Sequence, residues 1–239
     1  MALTDKLAVV LLSGGIDSST TLYIAQSMGF KVRALSVSYG QKQEVELEYA
    51  LKLSMKAGVE RIRLRFDIRP ISKSALTSAH INVPKDRPIE EIGKGIPVSY
   101  VPARNTILLS LALSYAEILG SFDIFIGVNN IDYSGYPDCR PEYIKAFENM
   151  ANLATKASAS VEGKGKFTIH TPLINMSKAD IIKKGIELKV PYEDTISCYD
   201  PTQRGISCGR CDSCVIRRNG FLDANVWDPT IYSSFQNIK

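Results

Sequence analysis

Two stretches of this chain carry residues whose types and spacing can do chemistry. The first is Ser13-Gly14-Gly15-Ile16-Asp17-Ser18-Ser19, set between an apolar run from Leu7 to Leu12 and a helix-like pattern with Leu22, Ala25 and Met28 at three-residue spacing. Adjacent glycines let the backbone adopt φ > 0 and let a ligand approach without a Cβ in the way. A strand, a glycine turn and a helix start aim several backbone N–H groups and the positive end of the helix dipole at one spot, which favours phosphate. The nucleoside-triphosphatase pattern GxxxxGK[ST] does not fit, because no lysine occurs between Lys6 and Lys31. The dinucleotide pattern GxGxxG fails as well, because Gly14 and Gly15 are contiguous. The competing structural reading is a tight turn followed by a helix that Asp17 and Ser18 merely cap.

The second stretch is Cys198-x9-Cys208-x2-Cys211-x2-Cys214. Four thiolates at short spacing can close a tetrahedral metal site and leave no open position, which suits structural rather than catalytic zinc. An iron–sulfur cluster is the rival, but the Cys-Pro that ends the bacterial ferredoxin run is missing and the fourth ligand lies upstream. Cys139 stands apart and reads as a packed residue. The chain has only two histidines, His80 and His170, neither beside an obvious nucleophile. A histidine-based triad is therefore not expected, and both read as structural or surface residues.

The elements that must position these groups alternate. Lys31 to Ser38 reads as a second strand, Glu44 to Ala57 as a helix and Arg61 to Ile68 as a third strand. Strands separated by helix-length segments imply right-handed crossovers and a parallel sheet. Ligands of such sheets lie at the carboxyl ends of the strands, where both Ser13-Gly14-Gly15 and Tyr39-Gly40-Gln41 fall. Arg61, Arg63 and Arg65 share one face of the third strand and read as a solvated edge or a contact between subunits. Ser78 to Pro102, with Pro84, Pro88, Pro97 and Pro102, is long and irregular and is expected to cover the active site. A helix follows from about Asn105 to Leu119, with Arg104 at its start. Phe122 to Asn129 reads as a buried strand running into Asp132–Arg140, whose tyrosines, acids and arginine suit a planar polar ligand as well as they suit a turn and helix cap. Phe167 to Thr171 is a further short strand, and Ser177 is placed to cap a helix from Lys178 to Leu188.

A length of 239 residues with 45% apolar and 23% charged content suits one large α/β domain with an appendage. The expected division is an α/β domain carrying the glycine loop over 1–190 and a zinc-binding segment over 191–239. No apolar run approaches a membrane span and no signal-peptide pattern opens the chain, so a cytoplasmic protein is expected. A net charge of +4, from 29 basic and 25 acidic residues, is mild. With no strongly basic arm, direct binding of nucleic acid is not expected.

The string SGGxDS resembles the pyrophosphate-binding loop of the ATP pyrophosphatases, which split ATP into AMP and pyrophosphate while adenylating an oxygen of the substrate. Further segments narrow this. SYGQ at Ser38, YVPARNTILLS at Tyr100, DYSGYPDCR at Asp132, TPLINMSKADI at Thr171 and CGRCDSC at Cys208 together resemble the QueC (ExsB) family of 7-cyano-7-deazaguanine synthases along nearly the whole chain. Gln43 stands where that family often carries histidine.

The resemblance implies an α/β, parallel-sheet, Rossmann-like adenine-nucleotide alpha-hydrolase (PP-loop) fold with a C-terminal four-cysteine zinc-binding segment. It implies ATP-dependent conversion of 7-carboxy-7-deazaguanine and ammonia into the 7-nitrile, with Mg²⁺ and Zn²⁺, in a homodimer. By the same resemblance ATP lies on Leu12, Ser13, Gly14, Gly15, Ile16, Asp17, Ser18, Ser19, Thr20, Thr21 and Leu22, with Asp17, Arg104 and Lys178 as the reacting site's charged groups. Tyr136, Asp138 and Arg140 are then placed to read the deazaguanine, and Cys198, Cys208, Cys211 and Cys214 hold zinc. The alternatives are a related enzyme that passes the activated acid to another amine, such as one on a protein, and a PP-loop enzyme that modifies tRNA.

Overall fold

A computed structural model describes residues 6–131, 136–159 and 165–233. Within them the chain runs β1 (Lys6–Leu11), α1 (Ile16–Ser27), β2 (Phe30–Ser38), α2 (Glu46–Lys56), β3 (Glu60–Arg65), α3 (Arg104–Leu119), β4 (Asp123–Phe125), α4 (Pro141–Ala154), α5 (Lys156–Ala159), β5 (Thr168–His170), α6 (Lys178–Glu187) and α7 (Asp212–Asp223). The sheet order is β3-β2-β1-β4-β5 with every pairing parallel. The expected parallel α/β sheet is what the chain forms. Its order reverses between β1 and β4, and the crevice at such a switch point is where open α/β sheets hold ligands.

Apolar side chains of β1 go to both faces in turn, which is why the run reads as continuous. Val9 and Leu11 join Leu109 and Leu113 of α3 and Phe147 of α4 on one face, while Ala8 and Val10 meet Leu22 and Ala25 of α1 and Leu53 of α2 on the other. Helices α6 and α7 pack outside α1 through Ile181, Ile182 and Phe221. Ser177 begins α6 with a capping box shared with Asp180, as its position before the helix suggests.

Three expectations shift. The third strand ends at Arg65, short of Ile68, and lies at the sheet edge, where Glu44 accepts hydrogen bonds from Arg63 and Arg65. Strand β4 pairs only over Asp123–Phe125. Beyond it the chain leaves the ladder, because Gly127 sits against the backbone of Asp17 and Ser18, so close that a Cβ would lie 2.9 Å from Asp17. Last, none of the residues from Ser78 to Pro102 lines the crevice. That segment covers the cysteine loop instead. Lys85 pairs with Asp200 at 2.7 Å, Arg87 with Asp212 at 2.8 Å, and Asp86 N–H donates to the Arg210 carbonyl at 2.9 Å. Opposite charges on the two loops and the burial of Val83 beside the cysteines fix it there.

Candidate active site

A cavity opens at the carboxyl ends of β1, β2 and β4. Its floor is Leu11, Leu12, Leu35 and Val37, its far wall is Ile126 to Asn129, and its head is Ser13, Gly15, Ile16, Asp17 and Ser18. Gly14 lies behind the loop at φ +95°, and a Cβ there would stand 2.3 Å from the Glu46 carbonyl oxygen. Gly15 differs. It N-caps α1 with φ −85°, ψ 168°, and no side chain among the described residues caps the first-turn amides. Asp17 and Ser18 therefore lie in the first turn of α1 and not at its N-cap. Hydroxyls brace the loop: Ser13 Oγ and Ser18 Oγ lie 3.0 Å apart, and Ser19 Oγ donates to the Gly15 carbonyl at 2.7 Å.

The later loop residues do not reach the cavity. Thr20 and Leu22 are fully buried in α1, Thr20 bonded to the Tyr192 hydroxyl at 2.8 Å and Leu22 in the core. Thr21 is buried too. Lys178 is not on the cavity wall either, yet it acts on the loop, because its Nζ lies 2.6 and 2.9 Å from the two Asp17 oxygens. Its buried stem rests on Gly220 of α7, where a Cβ would fall 2.3 Å from Lys178 Cγ. The C-terminal segment thus sets the lysine that holds Asp17. It also touches the loop itself through Ile196 N–H, which donates to the Gly14 carbonyl at 2.9 Å.

Arg104 enters from the start of α3, next to Ala103, which takes the left-handed φ of 54°. A non-glycine residue held there is strained, and such strain gathers at functional sites. The Arg104 guanidinium lines the cavity and reaches the Tyr39 hydroxyl at 3.4 Å. Burial opposes its charge, but the oxygens of Tyr39, Tyr136 and Tyr199 around it outweigh that and hold it protonated. Tyr136 lines the cavity, with its hydroxyl 2.9 Å from Ser99 Oγ.

The two neighbours expected with Tyr136 do something else. Asp138 is buried, and its Oδ2 accepts from the Asn105 N–H at 3.0 Å, so the carboxylate caps α3 from a distant segment. Arg140 is exposed at the start of α4, off the cavity wall. The stretch Asp132 to Gly135 lies outside the described residues. Cys139 is packed as expected, its thiol pushed up to about 12 chiefly by burial. His170 is structural, stacked 4.2 Å from Phe125 and 2.7 Å from Asp123 at the opposite end of the sheet, and His80 is exposed.

Residues that the sequence did not single out complete the wall. Glu46 comes from the first turn of α2, Asn105 from α3, and Ser197, Tyr199 and Ser213 from the cysteine segment. Burial pushes the Glu46 carboxyl up to about 7, against the pull of Gln41 and Arg104.

The four cysteines meet. Cys198, Cys208, Cys211 and Cys214 are all buried with their sulfurs within 4.8 Å of one another. Backbone N–H groups of Asp200, Cys208, Arg210 and Cys211 point at Cys198 and Cys208 sulfurs at 3.2 to 3.4 Å. Clustered sulfurs with amide donors turned toward them are the donor set of a tetrahedral thiolate metal site.

Parallel sheet, switch-point cavity and glycine loop define an α/β protein of the PP-loop fold. The family model for queuosine biosynthesis protein QueC matches residues 7–225. The chain is 58% identical over 233 residues to a 7-cyano-7-deazaguanine synthase of Geobacter metallireducens, covering 97% of this chain and 95% of that one. It is also 58% identical over 229 residues to the synthase of Myxococcus xanthus, covering 95% and 98%. The solved structure of an NMN synthetase from Francisella tularensis overlays with a TM-score of 0.48 at 16% identity, covering 93% of this chain and 78% of that one. The chain belongs to the QueC family.

Proposed function

We propose that the chain is an ATP-dependent carbon–nitrogen ligase that converts 7-carboxy-7-deazaguanine and ammonia into 7-cyano-7-deazaguanine, a precursor of queuosine and archaeosine. The observation that carries this is the uncapped loop at Gly15 facing a cavity large in tyrosine and closed by Arg104, on a chain of the QueC family.

A carboxylate is a poor electrophile because its oxygen leaves badly. Its attack on the α-phosphorus of ATP expels pyrophosphate and gives an acyl adenylate. Ammonia adds to the acyl carbon and AMP departs, leaving the amide. The amide oxygen then attacks the α-phosphorus of a second ATP and expels a second pyrophosphate, and loss of AMP with the nitrogen's protons yields the nitrile. No protein nucleophile is needed. What the protein supplies is alignment and charge. The amides at Gly15 and the α1 start, with the Ser13 and Ser18 hydroxyls, are assigned to the pyrophosphate. Lys178 fixes Asp17 beside it, and Arg104 is assigned to the substrate carboxylate, for which its fork is suited.

Mg²⁺ is proposed to accompany the nucleotide, neutralising phosphate charge, with Asp17 as the acid nearest the loop. The four cysteines are proposed to hold Zn²⁺, which fits a closed set of buried thiolates and would stiffen the loop that carries Ser197, Tyr199 and Ser213. The division into 1–190 and 191–239 then separates nucleotide chemistry from the segment that braces it. A homodimer in the cytoplasm is part of the same reading; among the described residues no helix is long and apolar enough to cross a membrane.

The test is incubation with 7-carboxy-7-deazaguanine, ATP, Mg²⁺ and an ammonium salt, read by mass. Nitrile with AMP supports the reading. AMP with a conjugated amide on a protein would favour transfer to another amine.

A further inference from the structure

We propose that Glu46, with Gln43 beside it, reads the aminopyrimidinone edge of the substrate base; both line the cavity, whereas Asp138 and Arg140 do not. The inference rests on the proposed deazaguanine substrate. Gln41 is pinned by accepting the Tyr39 N–H on its Oε1 at 2.8 Å, which turns its Nε2 to Glu46 Oε1 at 2.9 Å. One oxygen of Glu46 is thus held, and the other accepts no protein hydrogen bond among the described residues. Gln43 is 5% exposed, and among the described residues its buried Oε1 has no donor. A buried acceptor without a donor is costly, and it is a sign of a missing ligand when it borders a cavity.

Two acceptors on one wall call for two neighbouring donors. A 2-aminopyrimidin-4-one presents them, at the ring N1–H and the exocyclic amine. Adenine has no such pair, so the same wall tells the substrate base from that of ATP. The charged and titratable groups facing Glu46 are Arg104 from α3 and Tyr39 from the end of β2. Glu46 accepts from two donors only when ionised. Because burial lifts its carboxyl to about 7, use of the base rises with pH through that value and levels off above it.

The experiment measures kcat/KM for 7-carboxy-7-deazaguanine and for the analogue lacking the exocyclic amine, with parent and Glu46→Gln. Gln mimics the protonated carboxyl, and a melting curve checks its fold. Loss of a charge-assisted bond of this kind amounts to about 10- to 100-fold. The parent should favour the full base by that factor. Glu46→Gln should lose a similar factor on the full base, lose the discrimination and the pH rise, and leave the KM for ATP unchanged. A variant that keeps the parent's discrimination, or raises the KM for ATP instead, overturns the assignment. So does a parent that uses the analogue equally well, whether or not the variant folds. A parent that makes no nitrile at all overturns the proposed function, and this inference with it.

Discussion

The two glycines of the loop should fail in opposite ways when each is given a methyl group. At Gly14 the backbone has φ +95°, and an added Cβ would lie 2.3 Å from the Glu46 carbonyl oxygen and 2.9 Å from the Ala50 nitrogen. The left-handed conformation costs an L-residue about 1–2 kcal/mol. The clash is with the backbone of α2, which cannot swing aside like a side chain, and overpacking of that kind costs about 1–3 kcal/mol. Gly14→Ala should therefore lose about 2–5 kcal/mol, or about 4–20 °C in melting temperature for a chain this long. At Gly15 the backbone is extended, and a Cβ would meet only the Ile196 oxygen at 3.5 Å and Ser13 Oγ at 3.7 Å. Ala there should shift stability by no more than about 1 kcal/mol, the gain through the unfolded chain being offset by a poorer N-cap. Its methyl group instead occupies the approach to the α1 amides, so ATP use should fall by about 10- to 100-fold, the worth of a charge-assisted hydrogen bond. Differential scanning fluorimetry and the KM for ATP separate the two effects. A Gly15→Ala protein that melts early yet uses ATP normally would refute the reasoning, as would a Gly14→Ala protein as stable as its parent.

Cys214→Ser should abolish stoichiometric zinc, measured by elemental analysis, and lose more than about 4 kcal/mol, because the lost metal takes the packing of the 198–214 loop with it. Ser177→Ala removes the half of the α6 capping box in which Ser177 Oγ accepts from the Asp180 N–H and should cost about 1 kcal/mol, read as a melting shift of about 2–4 °C, while loosening the helix that carries Lys178. The Asp123 carboxyl is buried, which alone would raise it, but bonds from His170 and Lys6 hold it below the usual carboxylate range. Its contribution is thus present above the ordinary carboxylate pKa and fades as pH falls through the lower, folded value. Chemical denaturation of Asp123→Asn should therefore lose stability at neutral pH and show a shallower acid limb than the parent; an unchanged acid limb would sink that reading.

Much of this was legible before any coordinates, for physical reasons that differ by residue. Leu7 to Leu12 could be read as a doubly buried strand because both faces of β1 are covered by helices. The four cysteines could be read because a metal site constrains residue type as well as spacing. Ser177 could be read because capping is local. Contacts across the fold left no such trace. Asp138 looked like a ligand-reading acid, and nothing nearby in sequence shows that the start of α3 takes it up. Glu46 lies between Glu44 and Glu48 at the start of a helix, where acids are ordinary, and nothing local marks one of them as facing a ligand. Only the approach of α2 to the loop, through Gly14, brings that one acid to the cavity. The 78–102 segment looked like a lid by length and proline content, but its partner is set by Lys85 and Arg87, whose matching acids lie over a hundred residues away.

The central claim is that the loop presents the α-phosphorus of ATP to an oxygen of the substrate acid. Substrate carrying ¹⁸O in both carboxylate positions tests it in one mass spectrum. Attack at the α-phosphorus, once by the acid and once by the amide, puts one ¹⁸O into each AMP released and none into pyrophosphate. Label in inorganic phosphate with unlabelled ADP, or AMP free of ¹⁸O, would contradict it.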